Sequence, residues 1–254
     1  MNPDLTDFDT LIQDALSLPF SGWDFSIMAN RWKTDPLSWD YAAIARSRMK
    51  NITSMLDQDT GGGELLSSLA PFPEHTWATE NYPANIPIAR DRLAPMGVRL
   101  ISDYTSTSIP LPGCSLDLIL NRHGDYHEPE LFRLLTPGGI FLTQQVGDQN
   151  CIRLNKLLQD KVEYQNASWT EKTITQQLTS SGFELLNVKE EFPLTKFSDI
   201  GAVVFYLTII SWQIADFSVE KYRQKLSAIH QDILRNGPLQ VREHRILVEA
   251  RKPR

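Results

Sequence analysis

From residue 51 onward, short apolar runs of strand length alternate with longer amphipathic stretches. The runs fall at 52–56, 76–79, 98–101, 116–120 and 140–146, and the first three end in the acids Asp57, Glu80 and Asp103. Between them lie helical patterns at 64–69, 84–93 and 129–135. These are halted by Pro71 and Pro73, by Pro95 and Gly97, and by Pro137-Gly138-Gly139. This alternation predicts right-handed crossovers and a mostly parallel sheet, an α/β architecture. Helices are expected at 151–160 and 170–181, the second capped by Gly182, followed by a sixth strand at 183–192. Two further helices, at 197–212 and 219–236, are bounded by Pro193 and by Gly237-Pro238, and a last strand runs over 241–250.

Residues 5–49 read as helical, with no strand pattern and many aromatics: Phe8, Phe20, Trp23, Phe25, Trp32, Trp39 and Tyr41. Asp35-Pro36 and Ser38 supply start chemistry for a helix over 39–49. The aromatics either cover a ligand or fill the core. One domain is expected over 1–254: an N-terminal helical cap (1–50), a core sheet (51–192), a helical insertion (193–238) and a last strand with its tail (239–254). The insertion's apolar side chains suit either packing on the sheet or an overhang above a small-molecule pocket.

Asp57, Glu80 and Asp103 stand at intervals of 23 residues. Carboxyl ends of neighbouring strands in such a sheet line one crevice, where ligands bind, so the three acids are expected to share it. Beside the first lies Asp57-Gln58-Asp59-Thr60-Gly61-Gly62-Gly63-Glu64, a strand-to-helix turn with bare backbone. A nicotinamide site would place a third glycine where Leu66 stands. A carboxylate ahead of the glycines suits a cofactor bearing an ammonium and a sulfonium better than a diphosphate. That chemistry points to S-adenosylmethionine.

Four segments resemble the class I S-adenosylmethionine-dependent methyltransferases: Leu56 through Glu64, Ala78-Thr79-Glu80, Ser115-Leu116-Asp117-Leu118-Ile119, and Leu134-Leu135-Thr136-Pro137-Gly138-Gly139. The resemblance spans about 39–146. It implies a doubly wound, Rossmann-like seven-stranded sheet, mostly parallel with an antiparallel last strand, and helices on both faces. It also implies cofactor-binding roles around Asp57, Asp59, Thr60, Gly61, Gly62 and Gly63. Asp57 would neighbour the methionyl amino group, Glu80 would hold the ribose hydroxyls and Tyr82 would lie against the adenine. Asp103 or Tyr104 would sit at the adenine rim, and Asn121 beside the methionyl end. The runs Asn121-Arg122-His123 and Gln144-Gln145-Val146-Gly147 look like an uncharacterised bacterial branch of the class. One departure stands out: the pattern has a glycine where this chain has Asp59. Two like charges ~4 Å apart repel by about 4 kcal/mol at an effective dielectric near 20. Asp59 therefore points away, weakens the site or abolishes cofactor binding.

Methyl transfer needs an aligned acceptor and sometimes a base. His123 is the first candidate for base or acceptor-orienting group, with Tyr126 and His127 next; a purely structural role for His123 is the competing reading. The spacing of His123, Asp125 and His127 raises a metal site, but Gly124 and Pro129 disfavour the helix it needs, and no metal is expected.

Composition narrows the partners. A net charge of −6 argues against an extended nucleic-acid surface. With 41% hydrophobic and 22% charged residues, the 254-residue chain reads as globular. Its apolar run at 200–212 falls short of the roughly 20 residues of a membrane span. Cys114 and Cys151 are too few for a disulfide framework. With an acidic start lacking a signal-peptide pattern, they fit a cytoplasmic protein, and the sequons at Asn51 and Asn166 read as chance. The expectation is methyl transfer to a small organic acceptor. The rivals are an RNA or protein methyltransferase and a non-catalytic binding protein with the same fold.

Overall fold

The computed structural model describes residues 7–20, 25–162 and 169–254; Trp23 and Asn166 lie outside the described residues. Strands β2 (Ser54–Gln58), β3 (His75–Thr79), β4 (Arg99–Ile101), β5 (Leu116–Arg122), β6 (Leu135–Val146), β7 (Glu184–Glu191) and β10 (Arg245–Arg251) form a seven-stranded sheet of order β4-β3-β2-β5-β6-β10-β7. Its first five members are parallel, and β10 runs antiparallel to both β6 and β7.

Strand alternation sends neighbouring residues to opposite faces. Met55, Leu118, Leu120, Leu142 and Leu247 pack under α2 (Tyr41–Arg48), α3 (Glu64–Ser68) and α4 (Asn85–Leu93). Leu56, Ile119, Phe141, Ile246 and Val248 pack under α5 (Glu128–Leu134) and α7 (Glu171–Ser180). The expected doubly wound sheet with helices on both faces is present. Helix α2 starts two residues later than its sequence pattern indicates, because Asp40, not Ser38, caps it, accepting from the Ala43 N–H at 3.0 Å.

The remainder departs from expectation. The N-terminal region contains a strand, β1 (Trp32–Thr34), and the insertion contains β8 (Leu194–Phe197). The single strand expected at 241–250 is two, β9 (Leu239–Arg242) and β10, divided at Glu243-His244. Strands β1, β8 and β9 make a second, antiparallel sheet. Around it α1 (Phe8–Ser17), α6 (Ile152–Leu158), α8 (Ile200–Ile209) and α9 (Val219–Asn236) share a core of their own. Residues Ile200 through Leu207 of α8 are all buried, so this run is an interior helix, apolar all round. It starts at Asp199, which accepts from the Ala202 N–H at 3.0 Å and holds Arg31 through two hydrogen bonds, fastening the approach to β1 onto the insertion. No described helix is long and apolar enough to cross a membrane.

Candidate functional site

A cavity of about 900 Å³ opens at the carboxyl edge of the parallel strands, where the two sheets meet. Register determines what faces it. Asp57 pairs with Leu120, and Leu120 with Leu142, so all three share a face. Two residues further along, Arg122 pairs with Gln144, and Val146 with Arg245, on that same face. One edge of the sheet thus carries Asp57, Arg122, Gln144 and Arg245 side by side.

The acidic half is built by the glycine turn. Thr79 anchors it to β3: its carbonyl accepts from the Thr60 N–H at 2.9 Å and its hydroxyl from the Asp59 N–H at 3.0 Å. Gly61 and Gly63 have left-handed φ of 64° and 77°. At Gly63 a Cβ would also press on the Leu93 side chain at 2.9 Å, so bare backbone is required there twice over. Gly62 lies outside the cavity lining, its carbonyl accepting from Arg92, which also pairs with Glu64. Asp57 is 4% exposed. Burial pushes its carboxyl up to about 7, and the charge of Asp59 adds to the rise; the Thr60 hydroxyl offsets part of it without closing a hydrogen bond of its own. Glu80 follows the end of β3, also buried, and accepts from the Tyr82 N–H at 2.7 Å. Tyr82 is exposed at the cavity's edge.

Asp59 lines the cavity with a left-handed φ of 57°, a conformation Asp tolerates better than most residues. Its carboxylate accepts from the Tyr104 hydroxyl and packs over Gly124. Burial pushes it up to about 6, against the hydrogen bond from Tyr104. The Asp59 side chain therefore leans across toward the loop after β5, and Tyr104 reaches the site only through it. Asp103 is exposed and stands outside the cavity lining, so the acids that meet are Asp57, Asp59 and Glu80.

Asn121 is fully buried and absent from the lining, with its side chain on the face opposite Arg122. There its Oδ1 accepts from Thr143 at 3.1 Å and Gln145 at 2.6 Å. Tyr126 likewise sits in the core against Phe141 and Trp169, ring centroids 5.0 and 5.4 Å away. Among the described residues no group of three His, Cys, Asp or Glu converges to hold a metal.

His123 does reach the cavity. Its left-handed φ of 65° breaks the alternation and brings the ring to Gln144, Nε2 to Nε2 at 3.2 Å. The donor inventory fixes what that contact is. The Trp39 indole can only donate, and it does so to Gln144 Oε1 at 2.8 Å. The amide nitrogen of Gln144 therefore faces His123 and donates to Nε2, leaving the proton on Nδ1. The protein atoms around it, then Arg245 and Arg122, push this imidazole well below its usual range, although the residue is exposed at the cavity. His123 consequently offers an N–H on Nδ1, with its one lone pair already engaged.

The second sheet builds the cavity's other half. Trp32 lies between Phe25 and Tyr206, with ring centroids 5.1 Å from each. Glu243 accepts from the hydroxyls of Thr34 at 3.0 Å and Thr195 at 2.9 Å and pairs with Arg245, which also donates to Asn150 Oδ1 at 2.7 Å. Arg122, Glu243 and Arg245 were not foreseen as site residues, and Phe25 and Trp32 entered only among aromatics that either cover a ligand or fill the core. Register in β5 and β10 is the signal that finds the two arginines; the aromatic wall depends on the second sheet.

The sequence matches no family model and no curated protein. Solved structures share the fold. A candidate methyltransferase of Bacillus halodurans C-125 superposes with a TM-score of 0.61 at 20% identity, covering 85% of this chain and 99% of that one. A candidate methyltransferase of Haloferax volcanii, in complex with the Trm112 activator, gives 0.51 at 17% identity over 84% and 89% of the two chains. The [4+2]-cyclase SpnF gives 0.54 at 16% identity over 96% and 93%. The chain thus has the fold of the class I S-adenosylmethionine-dependent methyltransferases. A cyclase shares it, so the reaction has to be argued from the site.

Proposed function

We propose that this protein is an S-adenosylmethionine-dependent methyltransferase acting on a small organic acceptor. The observation that carries the reading is the Asp57 carboxylate, buried and unpaired at the foot of a bare glycine turn with Glu80 beside it. Burial holds back the charge of this carboxyl, raised to about 7, and a cationic ligand would restore it. Asp57 and Asp59 would face the ammonium and sulfonium, the backbone of the glycine turn would lie against the cofactor, Glu80 would take the ribose hydroxyls and Tyr82 the adenine. Bound there, the cofactor would supply an electrophilic methyl group. The chain's own work is then to align the acceptor, to exclude water with Trp32, Phe25 and Tyr206, and to donate a hydrogen bond from His123 Nδ1. That assigns His123 the orienting role rather than the base. The aromatic wall of the cavity and the net charge of −6 favour a small molecule over RNA.

Titration calorimetry with S-adenosylmethionine and S-adenosylhomocysteine tests the reading. Saturable one-to-one binding is expected, weakened at least tenfold by Asp57→Asn. No heat at millimolar cofactor would sink it.

A further inference from the structure

Two arginines line the cavity, and they differ in what they hold. Both of Arg245's terminal nitrogens are engaged, with Glu243 and Asn150. Arg122 has no hydrogen bond and no ion pair with any described residue, although it faces the cavity between Asp57 and Arg245. Arg122 is exposed at the cavity face, so its guanidinium is open to an anion on whatever fills the cavity. Its surroundings state what would match it. His123 beside it has an N–H to give and no free lone pair, and Trp32, Phe25 and Tyr206 form an aromatic wall on the second sheet.

We propose that Arg122 binds an oxyanion, a carboxylate or its chemical equivalent, on the molecule that fills this cavity. This inference deepens the methyltransferase reading and rests on it for its choice of sources. The oxyanion belongs either to the methyl acceptor, which is then a small acid with a flat apolar body, or to the cofactor's own methionyl carboxylate. Arg122 stands at the boundary of the two halves and reaches both. A guanidinium fork suits a carboxylate through two parallel hydrogen bonds, which an ammonium cannot reproduce.

Calorimetry on the full chain with wild type, Arg122→Lys and Arg122→Met separates the sources. Three probes are used: S-adenosylhomocysteine, 5′-methylthioadenosine (the adenosyl thioether without the amino-acid end), and benzoate added to protein saturated with S-adenosylhomocysteine. If the acceptor supplies the oxyanion, benzoate affinity falls on the order of tenfold to a hundredfold in Arg122→Met and less in Arg122→Lys, with both nucleosides unchanged. If the cofactor supplies it, S-adenosylhomocysteine weakens by that factor and 5′-methylthioadenosine does not. Wild-type affinity of Arg122→Met for every probe overturns the proposal. Thermal unfolding gives an independent check: Arg122→Met is expected to unfold no lower than wild type. A fall of several degrees would make Arg122 structural and overturn the proposal too. Benzoate bound through Arg122 by a protein that ignores both nucleosides would keep the oxyanion site and discard the methyltransferase reading.

Discussion

Replacing Asp59 with Asn isolates the electrostatic tension on which the site is built. Asparagine keeps the oxygen that accepts from Tyr104 and is at home at a φ of 57°, so the backbone and the hydrogen bond survive. What disappears is a charge. The Asp59 carboxyl is raised from 3.8 to about 6 by burial, a shift of roughly 2 units or about 3 kcal/mol. The side chain is partly exposed to the cavity, which screens the effect, so about 1.5 kcal/mol is the working figure. Below about pH 4 the carboxyl is protonated whether the chain is folded or not, and the two proteins should be equally stable. As pH rises from about 4 to about 6, the unfolded chain releases this proton before the folded one does, and wild type loses stability that the variant retains. Removing this charge also relieves Asp57, in the same direction. At pH 7.5 the unliganded variant should therefore melt roughly 3–6 °C higher, the usual conversion for a domain of this size. Calorimetric melts at pH 4, 6 and 7.5 read it directly. A variant no more stable at pH 7.5, or one whose gain does not change with pH, would refute the reasoning.

The remaining predictions touch the same wall. Gln144→Glu replaces the N–H donor at His123 Nε2 with an acceptor, so the imidazole should change tautomer or take up a proton; its ¹⁵N shifts would show this, and Trp39→Phe should loosen the same relay. Cofactor affinity should fall as pH drops from 8 to 5.5, because Asp57 and Asp59, raised to about 7 and about 6, then lose the charge that attracts the ammonium; calorimetry in matched buffers follows it. Gly124→Ala would put a Cβ 2.6 Å from the Asp59 Cβ and 2.7 Å from its Oδ2. It should cost about 1–3 kcal/mol in urea unfolding, and most of that should be recovered in the double variant with Asp59→Gly.

How far the sequence discloses this molecule depends on the range over which each element is stabilised. Strands β2 to β6 were legible because each is a short apolar run closed by turn or acidic residues, and all but β4 are followed by a helix with its own stops. Strand β1 was not: Trp32-Lys33-Thr34 has no pattern of its own and becomes a strand by pairing with Phe197, Lys196 and Thr195. The break between β9 and β10 was hidden for a related reason. Glu243 and His244 lie within the polar stretch Arg242-Glu243-His244-Arg245, yet both are buried, because Thr34 and Thr195 bond to one while Glu190 stands 2.9 Å from the other. Of the three acids in step along the sequence, Asp57 lies inside β2 and Glu80 just past β3. Asp103 lies two residues beyond the short edge strand β4, so equal spacing did not give equal depth. At the end of β5, proximity to the edge pointed to Asn121. Alternation, with Leu120 as reference, puts Arg122 in the cavity instead.

The second sheet changes what the helical insertion is. An appended lid would carry one apolar face and rest it on the main sheet. Here α8 is apolar all round, and its surroundings come from both ends of the chain: Leu11 and Ile12 from α1, Leu239 and Val241 from β9. Trp32 and Thr34 are thus fixed by a core that exists only when the N-terminal segment, the insertion and β9 fold together. That core delivers the aromatic wall to an edge whose acids and arginines come from the main sheet. Acids and arginines thus stand together along the edge of the main sheet, facing an aromatic wall that a different hydrophobic core holds. A ligand cationic toward Asp57 and anionic toward Arg122 would match both charges at once.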